Sequence, residues 1–284
     1  MPPATTCRLC AETSLSSLLK WDRPLAAIAQ PGSPTRIGVQ SGDGDQLVHC
    51  PKCSLVQRIV IEPGASVSRE PVAWPARQLA CQVIAYQKLR PTSLVIGIGS
   101  RDGRMLTDYQ SAGIPVLGIE PAVRQAERAR LEYGVPTLCR SFDKYLAAHL
   151  AGCGQQADVV HLHHVLPLIS DLDLFTAGLP IVLKDTGVAV IEVPYVRTMS
   201  ERNELAARHH WQLSYFSLTS IMHLMGNHRL VVHDVERLTD GSLRLFVGKQ
   251  GQTSARVATM LADEKSWGVD RVSTYLAPRP AKVA

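Results

Sequence analysis

The chain has 284 residues, 45% of them hydrophobic and 19% charged, with a formal net charge of +5. That length and balance fit one large globular domain or two modest ones and exclude an intrinsically disordered chain. The basic residues are dispersed and aromatics make up only 5%, which argues against a nucleic-acid-binding surface or a stacking platform for single strands.

No stretch approaches the ~18 apolar residues of a membrane span, and the start at Met1-Pro2-Pro3-Ala4 shows no apolar leader. The expectation is a soluble cytoplasmic protein whose seven cysteines are reduced. Cysteine pairs are then read as metal ligands before disulfides. Cys7-Arg8-Leu9-Cys10 and Cys50-Pro51-Lys52-Cys53 are two C-x2-C pairs. Each knuckle presents two thiolates, and together they complete a tetrahedral zinc site with no open position, hence a structural one. The intervening segment is rich in turn formers, and a metal would staple it. Cys81, Cys139 and Cys153 are isolated and read as small core residues.

Residues 61–76 carry Pro63-Gly64, Pro71 and Pro75 and read as a linker. A helix is predicted over 77–89, stopped by Pro91. A β-α series follows, with strands at 93–98, 116–119, 137–139, 158–162 and 188–194. The intervening helices fall at 104–112, 123–133, 144–151 and 175–183. A helix at 218–225 precedes two strand-like runs, 229–235 and 242–247, joined by Thr239-Asp240-Gly241 as a hairpin. The boundaries expected are a zinc-binding domain at 1–72, a cofactor-binding domain at 73–250 and an accessory tail at 251–284.

The chain is organised around Val95-Ile96-Gly97-Ile98-Gly99-Ser100-Arg101-Asp102-Gly103-Arg104. An apolar strand runs into a glycine turn, and the next strand ends in Glu120-Pro121. Glycines let the backbone approach a ligand, and the terminal acid accepts hydrogen bonds from a ribose. The glycine spacing does not fit G-x-G-x-x-G, so a cofactor without a pyrophosphate is favoured. A mostly parallel α/β sheet closed by an antiparallel strand points toward the Rossmann-like, seven-stranded sheet used by class I S-adenosylmethionine-dependent methyltransferases.

One family matches several pieces in order. Besides both cysteine pairs they are Ile98-Gly99-Ser100-Arg101-Asp102-Gly103, Gly118-Ile119-Glu120-Pro121-Ala122, Ile191-Glu192-Val193-Pro194-Tyr195, Leu213-Ser214-Tyr215-Phe216-Ser217 and Gly241-Ser242-Leu243-Arg244. The chain resembles the zinc-containing S-adenosylmethionine-dependent C-methyltransferases that act on nucleotide-linked keto-deoxysugars. The resemblance implies a methyltransferase acting on a small molecule in sugar or secondary-metabolite biosynthesis, with S-adenosylmethionine and structural zinc. It assigns the cofactor to Gly97, Gly99, Ser100, Asp102, Gly103, Glu120, Pro121 and His163.

Departures from the family pattern bear on catalysis. Gly97 stands where the family places a Glu, and Leu168 where it places a His. The family's Tyr-His-Glu-His reads His209-His210-Trp211-Gln212 here. The family also runs on into a further Rossmann-like domain, and its absence before Ala284 fits a substrate other than a nucleotide-sugar. C-methylation beside a ketone needs a base and an enolate-stabilising group. Leu168 and Gln212 cannot be bases, although Gln212 can donate to an oxyanion. His164, His209, His210 and Tyr215 are the expected catalytic residues. Alternation along the strand at 158–162 and just beyond puts His161 and His163 on one face and His164 on the other. Transfer to nitrogen or oxygen stays open, as does a non-methylating descendant that binds the cofactor.

Overall fold

A computed structural model describes residues 6–20, 46–59, 78–205 and 212–276. The strands are β1 (Ser16–Lys20), β2 (Gln46–His49), β3 (Val56–Ile59), β4 (Val95–Ile98), β5 (Val116–Ile119) and β6 (Thr137–Leu138). They continue with β7 (Ala157–His163), β8 (Leu183–Pro194), β9 (Ser214–Tyr215), β10 (Val231–Arg237) and β11 (Ser242–Gly248).

The larger sheet has seven strands in the order β10-β11-β8-β7-β4-β5-β6. β6, β5, β4, β7 and β8 are parallel, and β11 runs antiparallel to both β8 and β10. The chain moves outward from β4 through β5 to β6, then returns to β7 on the other side. That reversal opens a crevice at the carboxyl end of β4, where ligands bind in such sheets. The inner strands are buried on both faces, so they read as continuous apolar runs. Ile96, Ile98, Leu162 and Ile191 pack toward helices Lys144–Gly152 and Leu218–Asn227. Val95, Val159 and Val190 pack toward helices Gln78–Gln87 and Thr107–Ser111.

The smaller sheet has the order β1-β2-β3-β9. Its fourth strand comes from far along the chain, so the packing does not divide at residue 72. Arg58 N–H donates to Leu213 O at 2.9 Å and Arg8 to the same carbonyl at 3.2 Å. The cysteine knuckles pack on the main core beside Leu55.

Three further expectations need correction. The expected helix over 175–183 is two short helices, Leu172–Thr176 and Leu179–Val182, and Leu183 already belongs to β8. Pro180 at the start of the second helix explains the restart, since proline suits a first turn and breaks an interior. Helix Ala255–Trp267 is no accessory tail. Its Glu264 is fully buried and accepts from Leu218 N at 2.7 Å and Thr219 N at 2.8 Å, capping the helix that begins there. Cys81, Cys139 and Cys153 are exposed, not core residues. The proposed linker over 61–76 lies outside the described residues.

Candidate active site

The turn after β4 is tied to β5: Gly99 N donates to Ile119 O at 2.8 Å and Ser100 N to the same oxygen at 3.2 Å. Gly103 has φ 78°, and a Cβ there would lie 3.0 Å from the Cβ atoms of Ala129 and Val135. Only glycine meets both demands. Glu120 ends β5 at 4% exposure. Its Oε2 accepts Arg101 N and its Oε1 accepts Ala122 N, both at 2.9 Å. The carboxylate is thereby aimed at the turn, and each oxygen keeps lone-pair capacity for a ligand hydroxyl. Ser100 Oγ is buried and has no hydrogen-bond partner among the described residues. Asp102 is half-buried and pairs with Arg104 at 3.3 Å, and Pro121 is exposed.

A Cβ at Gly97 would lie 3.1 Å from Leu106 Cδ1 and Met105 Cε. Apolar side chains fill the space into which a longer residue would start, so no polar side chain fits there without displacing them.

The ends of β7, β8 and β11 carry a row of charged groups. His163 registers with Glu192, and Glu192 with Arg244. His163 Nδ1 lies 2.6 Å from Glu192 Oε2, Arg244 Nε lies 2.7 Å from Glu192 Oε1, and Arg244 reaches Glu236 at 3.3 Å. Burial alone would raise the Glu192 carboxyl, but His163 and Arg244 outweigh it and hold it down to about 2. Two residues back, His161 Nε2 lies 2.7 Å from the Tyr109 hydroxyl. Burial drives His161 down to about 3 and pushes Tyr109 up, so both stay neutral.

His164 departs from the expected alternation. Its φ is 52°, a left-handed backbone for a side-chain-bearing residue, at a cost of ~1–2 kcal/mol. That turn brings its ring to 4.5 Å from the His163 ring, at 81°. The two imidazoles therefore adjoin each other instead of standing on opposite faces.

His209 and His210 lie outside the described residues, as does Trp211. Tyr215 sits at 1% exposure in β9, packed with Leu47 and Val56 in the core of the small sheet. Leu168 ends a one-turn helix at Leu166–Leu168. Gln212 is fully buried, and neither polar atom of its amide has a hydrogen-bond partner among the described residues. Glu192 and Arg244 were matched by the resemblance but given no role. The available signal is Glu192 itself, a lone charge in the apolar run of β8.

The four knuckle cysteines converge. Cys7 and Cys53 Sγ are 3.5 Å apart, as are those of Cys10 and Cys50, and the thiols are free. Tetrahedral zinc with Zn–S bonds of ~2.3 Å sets sulfurs about 3.8 Å apart, so this donor set fits zinc. The Cys7–Cys53 hydrogen bond lowers the Cys7 thiol and raises that of Cys53, so the two share one proton between them in the metal-free cluster. A second cluster that could hold a metal comprises His163, His164 and Glu192.

No protein-family profile matches the chain. Among curated proteins, the C-methyltransferase NovU of Streptomyces niveus is 26% identical, aligned over 96% of this chain and 68% of its own length. Among solved structures, the PH0226 protein of Pyrococcus horikoshii OT3 superposes with a TM-score of 0.50 at 15% identity, over 61% of this chain and 88% of its own. An S-adenosylmethionine-dependent methyltransferase from Clostridium acetobutylicum ATCC 824 gives a TM-score of 0.48 at 9% identity, covering 62% and 91%. The fold is a Rossmann-like α/β fold with a mostly parallel sheet of seven strands, shared with the PH0226 protein. Among the described residues, no helix is long and apolar enough to cross a membrane.

Proposed function

We propose that the protein is an S-adenosylmethionine-dependent methyltransferase acting on a small molecule, with structural zinc at Cys7, Cys10, Cys50 and Cys53. The observation that carries the reading is Glu120, buried at the end of β5 and aimed by two backbone N–H groups at the turn after β4. In this strand order that carboxylate suits a ribose, with Gly99, Ser100 and Gly103 forming the turn beside it. When bound, S-adenosylmethionine supplies an electrophilic methyl group on a sulfonium centre.

The acceptor belongs over the neighbouring strand ends. Ile98 registers with Leu162, so His163 stands one strand, ~4.8 Å, from the turn. His163, His164 and Glu192 are polar groups there, and the unpartnered amide of the buried Gln212 is a candidate donor for a developing oxyanion. The similarity to NovU favours carbon as the atom methylated, and the absent family acid/base residues favour a different acceptor. Oxygen or nitrogen transfer needs positioning above all. His209, His210 and Tyr215 remain secondary candidates, and Tyr215 would act only if the small-sheet core opened toward the ligand. The protein is expected to act in the cytoplasm.

Calorimetric titration with S-adenosylmethionine tests the reading, and absence of heat at millimolar ligand would sink it. If it binds, incubation with labelled methyl donor and an extract of the source organism should label a small molecule. Binding without any labelled product would favour a non-methylating descendant, for which Gly97 and its apolar surroundings speak. Purified without chelator, the protein should carry about one zinc per chain, and a ratio near zero removes the cysteine site.

A further inference from the structure

The main sheet ends in a cluster that neither the cofactor turn nor the zinc knuckles use. We infer that His163, His164 and Glu192 form a second metal site, for a first-row divalent transition cation, at the carboxyl end of β7 and β8. One donor atom from each residue lies within 4.8 Å of the other two. Bonds of ~2.1 Å place donors on one ion about 3–4 Å apart, a spacing of the same order as the one seen here.

The backbone provides an independent observation. A strand that simply continued past His163 would point His164 to the opposite face. The left-handed φ of 52° instead returns a side chain at 9% exposure to its neighbour. Strain of this kind persists where the surroundings fix it, and it clusters at functional sites. Its product here is a convergence of two imidazoles and a carboxylate.

The donor chemistry fits. Two nitrogens and one oxygen suit zinc, iron, manganese or cobalt and leave coordination positions open. No thiol takes part, so the site differs in kind from the four-cysteine site. Arg244 holds Glu192 Oε1 at 2.7 Å, which orients the carboxylate and leaves Oε2 toward the histidines. His163 Nδ1 is already 2.6 Å from that oxygen. A cation entering there would take the place of that contact between the two side chains.

The site stands one strand from the cofactor turn, and its use in catalysis rests on the methyl-transfer reading. A cation there would hold an acceptor oxygen and stabilise it as enolate, phenolate or catecholate beside the atom methylated. The acceptor class is then an oxygen-bearing small molecule that becomes anionic on losing a proton.

The test uses the full chain, free of any affinity tag and with zinc already in the cysteine site. Titration with Co2+ and Mn2+ should show one further ion per chain, with no thiolate-to-cobalt charge-transfer band. His164→Asn keeps a residue that tolerates the left-handed backbone, so its fold should survive while affinity falls on the order of 10–100-fold. His163→Gln should do the same, with melting curves checking both. Absence of binding by Mn2+, Fe2+, Co2+, Ni2+ and Zn2+ near 1 mM, or unchanged binding in both folded variants, overturns the site. S-adenosylmethionine calorimetry on the same samples separates the readings. Metal without cofactor binding retains the cation and removes methyl transfer, whereas cofactor binding without metal does the reverse.

Discussion

The two sides of β4 present different kinds of chemistry. On the β5 side the site is mostly backbone: a turn, a left-handed glycine and one carboxylate held by N–H groups. On the β7 side it is a chain of side chains from three strands, His163–Glu192–Arg244. Backbone cradles bind what many proteins share, a nucleotide-like group. Side-chain networks vary freely, and that is where an acceptor would be chosen. The contrast predicts that damage to the first side acts through geometry and damage to the second through uncompensated charge.

The largest effect should come from Arg244→Met. It leaves Glu192 ionised at 3% side-chain exposure with one partner fewer. Breaking a buried pair costs ~3–5 kcal/mol, a fall in melting temperature on the order of 10 °C. A melting temperature within ~2 °C of the parent would show that water or rearrangement replaces the guanidinium, and the contrast would weaken.

On the other side, Gly103→Ala should cost ~2–3 kcal/mol, combining a left-handed φ of 78° with a Cβ set 3.0 Å from two others. Denaturant unfolding checks it, and a neutral result would mean the turn yields freely. Glu120→Ala should weaken S-adenosylmethionine about 10–100-fold by calorimetry, the loss expected for hydrogen bonds to a charged acceptor. An unchanged affinity would remove Glu120 as the ribose ligand.

The same contrast explains what was legible in the sequence. Glycines and a strand-terminal acid sit close together along the chain, so the turn at Gly99 and Gly103 and its neighbour Glu120 could be read directly as one local unit. The inner strands announced themselves as apolar runs because both of their faces are buried. The charge row could not be read, because His163, Glu192 and Arg244 meet only through strand pairing. Alternation puts His164 on the opposite face because it presumes an extended backbone, and the φ of 52° breaks that premise. The small sheet escaped for a related reason: β9 pairs with β3 across a long sequence separation. Glu264 shows the limit of composition, since a polar stretch hides a buried carboxylate that caps a distant helix.

The smallest expected effect joins the two sides, because His161 lies beside Gly97 in the register of β7 and β4. Its folded value of about 3 is below the ordinary 6.5, so between those pH values the unfolded chain binds the extra proton. Stability therefore falls as pH drops from about 6.5 toward 3, by at most ~1.4 kcal/mol per pH unit for this one group. Glu192 adds a second loss only below its ordinary 4.5, as pH falls toward about 2. The window from pH 6 to 5 thus isolates His161 from Glu192. His161→Gln keeps a polar partner for Tyr109 and removes the titration, so its loss of stability across that unit should be about 1 kcal/mol smaller than the parent's. Equal slopes in parent and variant would mean that His161 is hydrated when protonated, and the packing around Gly97 would then be looser than its 3.1 Å approaches to Leu106 and Met105 indicate.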